Sequence, residues 1–112
     1  MVEHRVTYLW GYASSLYALA QETLRRRRFD VRMKVAITNA EPVYPYQRQA
    51  IAEAFGCPVR ETYGMAEIVA AASECPEGRL HTWPDVGIVE FAEGETVGEA
   101  CRSGALVCTG AC

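Results

Sequence analysis

Apolar residues in the first third of the chain fall at helical intervals: Leu16, Leu19, Ala20 and Leu24 share one face of a 3.6-residue repeat. The spacing predicts a helix from Ser15 to Arg27, with Ser14 or Ser15 as N-cap, because a short hydroxyl side chain can accept from the free amides of a first turn. The texture then changes. Met33 to Ile37 is a short apolar run with β-branched residues, followed by the polar turn Thr38-Asn39-Ala40-Glu41-Pro42, the pattern of a buried strand ending in a loop. A second helix is expected next: Pro45 suits its first turn, Gln49, Ala50, Ile51, Ala54 and Phe55 carry its face, and Gly56 can close it in the left-handed conformation. Pro58-Val59-Arg60-Glu61-Thr62-Tyr63 reads as the following strand.

Strand, helix and strand over about 30 residues make one βαβ unit, whose crossover is right-handed and whose strands run parallel. The fold class is therefore α/β. Past Ala72, Cys75-Pro76-Glu77-Gly78 is turn-like, and Leu80-His81-Thr82-Trp83, Val86 to Phe91 and Ala105 to Thr109 read as antiparallel strands. Ala92 to Glu99 reads as an acidic, glycine-punctuated loop. The expected organisation is a single partial domain over residues 1–112, with an α/β core at 1–73 and a β-rich extension at 74–112. A chain that ends in a strand without a closing element is expected to be an internal piece. Its sheet edges and apolar face would then favour self-association.

Composition narrows the possible partners. Half of the residues are hydrophobic and 22% are charged, the balance of an ordered globular chain. The net charge of -3 speaks against nucleic acid, whose phosphates need a basic surface. No run approaches the roughly 20 apolar residues of a membrane span, and the first residues do not form a signal peptide, so no membrane partner and a cytoplasmic location are expected. Arg25-Arg26-Arg27-Arg28 could serve as an anion patch, but cations in a last helical turn complement the macrodipole and usually sit in solvent, which is the favoured reading. Five scattered cysteines without a CxxC pair suggest free thiols.

Candidate chemistry gathers at one sheet edge. In open parallel sheets ligands bind outside the carboxyl ends of the strands, so Asn39-Ala40-Glu41-Pro42 and Tyr63-Gly64-Met65-Ala66-Glu67 are expected to be neighbours. Tyr63 offers a flat face for a purine, Gly64 lets the backbone approach a ligand, and Glu67 offers hard oxygens for Mg²⁺ beside phosphates. Taken alone, Tyr63 and Glu67 are better read as a strand-end aromatic packed on a helix and a solvated helix-start glutamate; the second loop reverses that. Cys75 and His81, with Cys57 and Cys108, form a second candidate set, since thiolate and imidazole ligate zinc. The competing view treats the cysteines as small buried hydrophobes. Trp10, Tyr12 and Trp83 read as packing aromatics, with Tyr12 beside Gly11 alternatively at the edge of a substrate channel.

In order along the chain, Gly11-Tyr12-Ala13-Ser14-Ser15-Leu16, Thr38-Asn39-Ala40-Glu41-Pro42, Glu61-Thr62-Tyr63-Gly64-Met65-Ala66-Glu67 and Gly78-Arg79-Leu80-His81 resemble the adenylate-forming (AMP-binding) enzymes. The branch they resemble is that of phenylacetate–CoA ligase and its relatives in capsular polysaccharide biosynthesis. The resemblance implies a βαβ parallel-sheet piece of the adenylate-forming large domain followed by antiparallel strands. It also implies an activity: a small carboxylic acid is activated with ATP and Mg²⁺ to an acyl-adenylate, then passed to coenzyme A. By the same resemblance Asn39, Ala40, Glu41 and Pro42 form the adenine and ribose wall, Tyr63 stacks on adenine, Gly64 and Met65 border the acyl pocket, and Glu67 is the catalytic residue that holds Mg²⁺. Ala66 is a departure. Many members carry Thr or Ser there, and a hydroxyl bonded to the α-phosphate is a charge-assisted contact of roughly 1.5–3 kcal/mol. The family's Ser/Thr/Gly-rich phosphate loop, ribose-binding aspartate and lysine-bearing C-terminal domain have no counterpart in these 112 residues. The expectation is a ligase segment that is catalytic in a longer parent and inactive alone. The alternatives are a stand-alone adenine-nucleotide-binding module and a zinc-stabilised structural module.

Overall fold

Tyr8–Tyr12 forms the first strand, β1, an element outside the sequence expectation. Its alternation is that of a strand, with Leu9 buried and Tyr8, Trp10 and Tyr12 exposed, but the helical pattern that follows at once hides so short a run. The computed structural model describes residues 4–96 and 102–110. After β1 come α1 (Ala13–Arg25), β2 (Val35–Asn39), α2 (Pro45–Phe55), β3 (Val59–Gly64), β4 (Ala71–Glu74), β5 (Leu80–Thr82), β6 (Gly87–Thr96) and β7 (Arg102–Gly110). A five-stranded sheet runs β1-β2-β3-β4-β5, parallel across β1, β2 and β3 and antiparallel across β3, β4 and β5; β6 and β7 pair separately as an antiparallel ribbon. This is the expected α/β class followed by antiparallel strands.

Several boundaries differ for physical reasons. Helix α1 begins two residues early, at Ala13, and neither serine caps it: Tyr12 is the N-cap, without a side-chain bond, and Ser14 donates instead to Glu41. At the far end Arg25 and Arg26 pair with Glu22, and Arg28 pairs with Asp30, all in solvent. Hydrogen bonds from Arg25 and then Arg26 hold Glu22 down at about 2. Strand β2 lies two residues later than Met33–Ile37, because Met33 belongs to the core, with its N–H donating to the Phe55 carbonyl at 3.0 Å. Helix α2 lies where expected, but Gln47 and not Gln49 takes the buried place on its face. Pro45 opens it, the Tyr44 N–H donates to Gln47 Oε1 at 3.0 Å, and Gly56 closes it at φ 59°. Strand β4 was unforeseen, since Ala-Ala-Ser-Glu has little intrinsic strand preference and pairs only because β3 and β5 flank it. The expected loop at 92–99 is strand as far as Thr96, and its last residues lie outside the described ones.

Helices α1 and α2 pack on each other and on the sheet face that carries Leu9, Ala36 and Val59, three residues paired in register across β1, β2 and β3. Leu16, Ala20, Ile51 and Phe55 complete this core. On the opposite face Tyr8, Trp10 and Tyr12 are 58%, 71% and 53% exposed, so Trp10 and Tyr12 are not the packing aromatics expected. Among the described residues no helix covers that side. The radius of gyration is 16.8 Å, against about 13 Å for a compact domain of this length, because the chain spreads as a half-covered sheet plus a separate ribbon.

Candidate functional site

Strands β2 and β3 deliver their carboxyl ends side by side. Buried Thr38 donates from Oγ1 to the Arg60 carbonyl at 3.3 Å, and Thr62 donates from Oγ1 to the Thr38 carbonyl at 3.0 Å, so two hydroxyls tie the strand ends directly beneath the loops. Ala40 then takes a left-handed turn at φ 59°. Glu41 follows, and its carboxylate accepts from the Ser14 N–H at 2.9 Å and from the Ser14 hydroxyl at 3.0 Å. These two bonds, the backbone one foremost, hold Glu41 below the usual carboxylate range. The loop after β2 is thereby strapped to the start of α1, where free amides welcome an anion.

The expected convergence is present. Ala40, Glu41 and Pro42 on one side and Glu61, Thr62, Tyr63 and Gly64 on the other line a cleft of about 280 Å³, with Leu80 at its edge. A wider depression of about 590 Å³ adjoins it, sharing Ala40, Thr62, Tyr63 and Gly64 and adding Asn39, Met65, Ala66, Ile68, Trp10 and Trp83 among its walls. Tyr63 therefore stands between a cleft with two carboxylates and a depression without charged side chains. Trp83 is half exposed, not packed inside; its indole N–H donates to Ser73 Oγ at 3.1 Å. Glu67 occupies the exposed turn after β3 and lines neither space. That turn closes through the Ile68 N–H to the Met65 carbonyl at 3.1 Å and holds Ile68 at φ 54°, a conformation costly for a β-branched residue.

Among the described residues, no three His, Cys, Asp or Glu side chains stand together as a metal-binding group, so Cys75 and His81 gather no zinc set. Cys57, Cys75 and Cys108 are free thiols. Burial pushes the Cys57 thiol up, which keeps it protonated and unreactive. Two contributors escaped the sequence reading. Glu61 lies two residues from Tyr63 on one strand and so on the same side of it, a signal the period-two alternation already contained. Ser14 gave no such signal, because its partner Glu41 lies 27 residues away.

No protein-family model and no curated protein matches the chain. Among solved structures, it is similar to 2-hydroxyisobutyryl-CoA ligase, in an open conformation in complex with 2-HIB-AMP and CoA. The likeness has 25% identity and a TM-score of 0.61 over 78% of this chain. It is a likeness to an adenylate-forming acyl-CoA ligase. This structural likeness supports the superfamily that the motifs resemble, and not a particular branch of it. The chain spans 22% of that ligase's length. Among the described residues no helix is long and apolar enough to cross a membrane.

Proposed function

We propose that this chain supplies the adenine and ribose wall of an ATP-dependent, AMP-forming carboxylate–CoA ligase, of the phenylacetate–CoA ligase type that its motifs resemble. In the whole protein a small carboxylic acid is joined to AMP and the acyl group then passes to coenzyme A. The cytoplasm is the proposed location, with neither nucleic acid nor membrane as partner. One observation carries the proposal: Ala40–Pro42 and Tyr63–Gly64, remote in sequence, wall a single cleft beyond the strand ends, with Asn39 in the adjoining depression.

The cleft chemistry suits a nucleoside. Tyr63 supplies an aromatic face, and the carboxylates of Glu41 and Glu61 suit hydroxyl and amino donors while repelling phosphate. The phosphates would therefore leave toward the Met65–Glu67 turn. Glu67 is the residue that would hold Mg²⁺ there, since such an ion commonly takes one or two carboxylates and completes its shell with water and phosphate oxygens. When bound, the ion neutralises phosphate charge. A substrate carboxylate is already a nucleophile, so this chain contributes mainly by positioning the nucleotide. Ala66 offers no hydroxyl to the α-phosphate, and the grip on the phosphates falls to parts of the protein beyond these residues.

Titration of the 112-residue chain with AMP, followed at the backbone resonances of residues 39–42 and 61–65, tests the proposal. Weak binding is expected, with Kd on the order of 1 mM or about -4 kcal/mol, and Tyr63→Ala should abolish it. Absence of any perturbation in those two loops at about 10 mM AMP would overturn the proposal. Pyrophosphate exchange by the chain alone is expected to be nil.

A further inference from the structure

We infer that Arg48 and Glu74 are positioning residues for the Tyr63 wall: a side-chain brace at the point where β3 changes strand partners. Only its consequence for nucleotide binding rests on the function proposed above. Strand β3 pairs with β2 through Val59, Arg60 and Glu61, but with β4 only from Thr62 to Gly64. Its first residues therefore have no strand neighbour on the β4 side. Unpaired backbone groups there would be costly, because the site is partly buried.

Two side chains chiefly fill the gap, and Arg60 Nη1 adds a longer bond of 3.3 Å to the Val59 carbonyl. Arg48, on α2, donates from Nη1 to the Val59 carbonyl at 2.7 Å, and its guanidinium grips Glu74 through two bonds of 3.0 Å. Glu74 in turn accepts the Glu61 N–H at 2.7 Å. The open carbonyl and the open amide of β3 are thus satisfied by the two ends of one ion pair, as a further strand would satisfy them. Glu74 has a side chain only 7% exposed, and Glu61 adds its carboxylate 3.6 Å from Arg48. The braced residue Glu61 and the platform residue Tyr63 both line the smaller cleft, two positions apart on one strand. The brace therefore sets where β3 leaves β2 and how Thr62, Tyr63 and Gly64 meet the cleft. Stability alone is a poor explanation, since buried ion pairs often gain little over apolar packing.

Hydrogen exchange measured by peptide, together with AMP titration, distinguishes a brace from a general stabiliser. In Arg48→Met and Glu74→Gln, exchange should rise roughly tenfold or more at residues 59–64 and 71–74, the scale of one charge-assisted hydrogen bond, and stay near wild type at 8–12 and 35–39. Arg48→Lys, which keeps the charge but loses the fork, should resemble Arg48→Met. AMP affinity should fall at least about tenfold in all three, since each weakens or loses at least one such bond. A uniform rise, no rise, or full restoration by lysine overturns the brace. Local loosening with unchanged AMP affinity overturns its positioning role. If wild type binds no AMP, the nucleotide proposal fails while the exchange pattern still decides the brace. Should Arg48→Met fail to fold, the near-isosteric Glu74→Gln provides the same readout.

Discussion

The two faces of the parallel sheet are built from the same strands and have met different fates. Leu9, Ala36 and Val59 lie under two helices in a closed core, whereas Tyr8, Trp10 and Tyr12, which are larger, remain open to solvent. Parallel strands are ordinarily covered on both faces, so the open side is the more unusual of the two. Such an aromatic face suits burial by a further layer. Without such a layer, a second copy of the chain would be the nearest cover.

The largest expected effect breaks the covered face. Phe55 is fully buried between α2 and the sheet, and Phe55→Ala should cost about 3–5 kcal/mol, enough to consume much of a small domain's stability. Urea denaturation followed by circular dichroism measures it. A cost below about 1 kcal/mol would mean that this face is not close-packed and that the contrast between the faces is false.

The open face should behave in the opposite way. Trp10→Thr keeps strand preference and removes an indole that is mostly in solvent, so stability should change by no more than about 0.5 kcal/mol. Self-association, read by sedimentation velocity over a concentration series, should weaken, and more so when Tyr8 and Tyr12 are also replaced by Thr. Association unchanged in the triple variant would shift responsibility from the face to the unpaired edges of the sheet.

The difference between the faces also explains what was legible in the sequence. Strand β2, helix α2 and strand β3 were readable because Ile37, Ile51, Phe55 and Val59 obey local periods and Pro45 and Gly56 punctuate them. The meeting of the Asn39–Pro42 and Tyr63–Gly64 loops followed from the parallel fold class alone. Strand β4 was not readable, since Ala71–Glu74 takes its conformation from neighbours on both sides. Nor were the Ser14–Glu41 strap and the Arg48–Glu74 pair, because residues 27 and 26 positions apart carry no local sign of each other. The openness of the aromatic face was equally hidden: alternation separates two faces but does not say which of them will be covered.

Ile68 sharpens the comparison at a smaller scale, since the sheet is relaxed while the turn beyond its edge is strained. A β-branched residue at φ 54° is costly, and asparagine tolerates that conformation through its short polar side chain. Ile68→Asn should raise stability by about 0.5–1 kcal/mol, seen as a modest rise in Tm. A loss of stability would show that exposed Ile68 contributes apolar contacts that outweigh the strain.

The smallest effect concerns the strap between the covered layer and the cleft. Glu41 has its folded pKa lowered from 4.5 by the Ser14 N–H and then the Ser14 hydroxyl, so it binds protons less readily when folded. Its stabilising contribution is therefore present above pH 4.5 and is lost as pH falls through the lowered folded value. Glu22, Asp30 and Glu77 are lowered too and weaken the whole fold in the same acid range, so only a difference isolates the strap. Glu41→Gln keeps the shape and an acceptor without the charge. Wild type should exceed it slightly in Tm near neutrality, and the gap should close in acid as pH falls through the lowered folded value and Glu41 becomes neutral like the glutamine. A gap that widens in acid would mean that Ser14 favours the protonated acid. Because the strap joins the cleft loop to α1 without entering the core, acid should loosen residues 39–42 before it disturbs the Leu9, Ala36 and Val59 face.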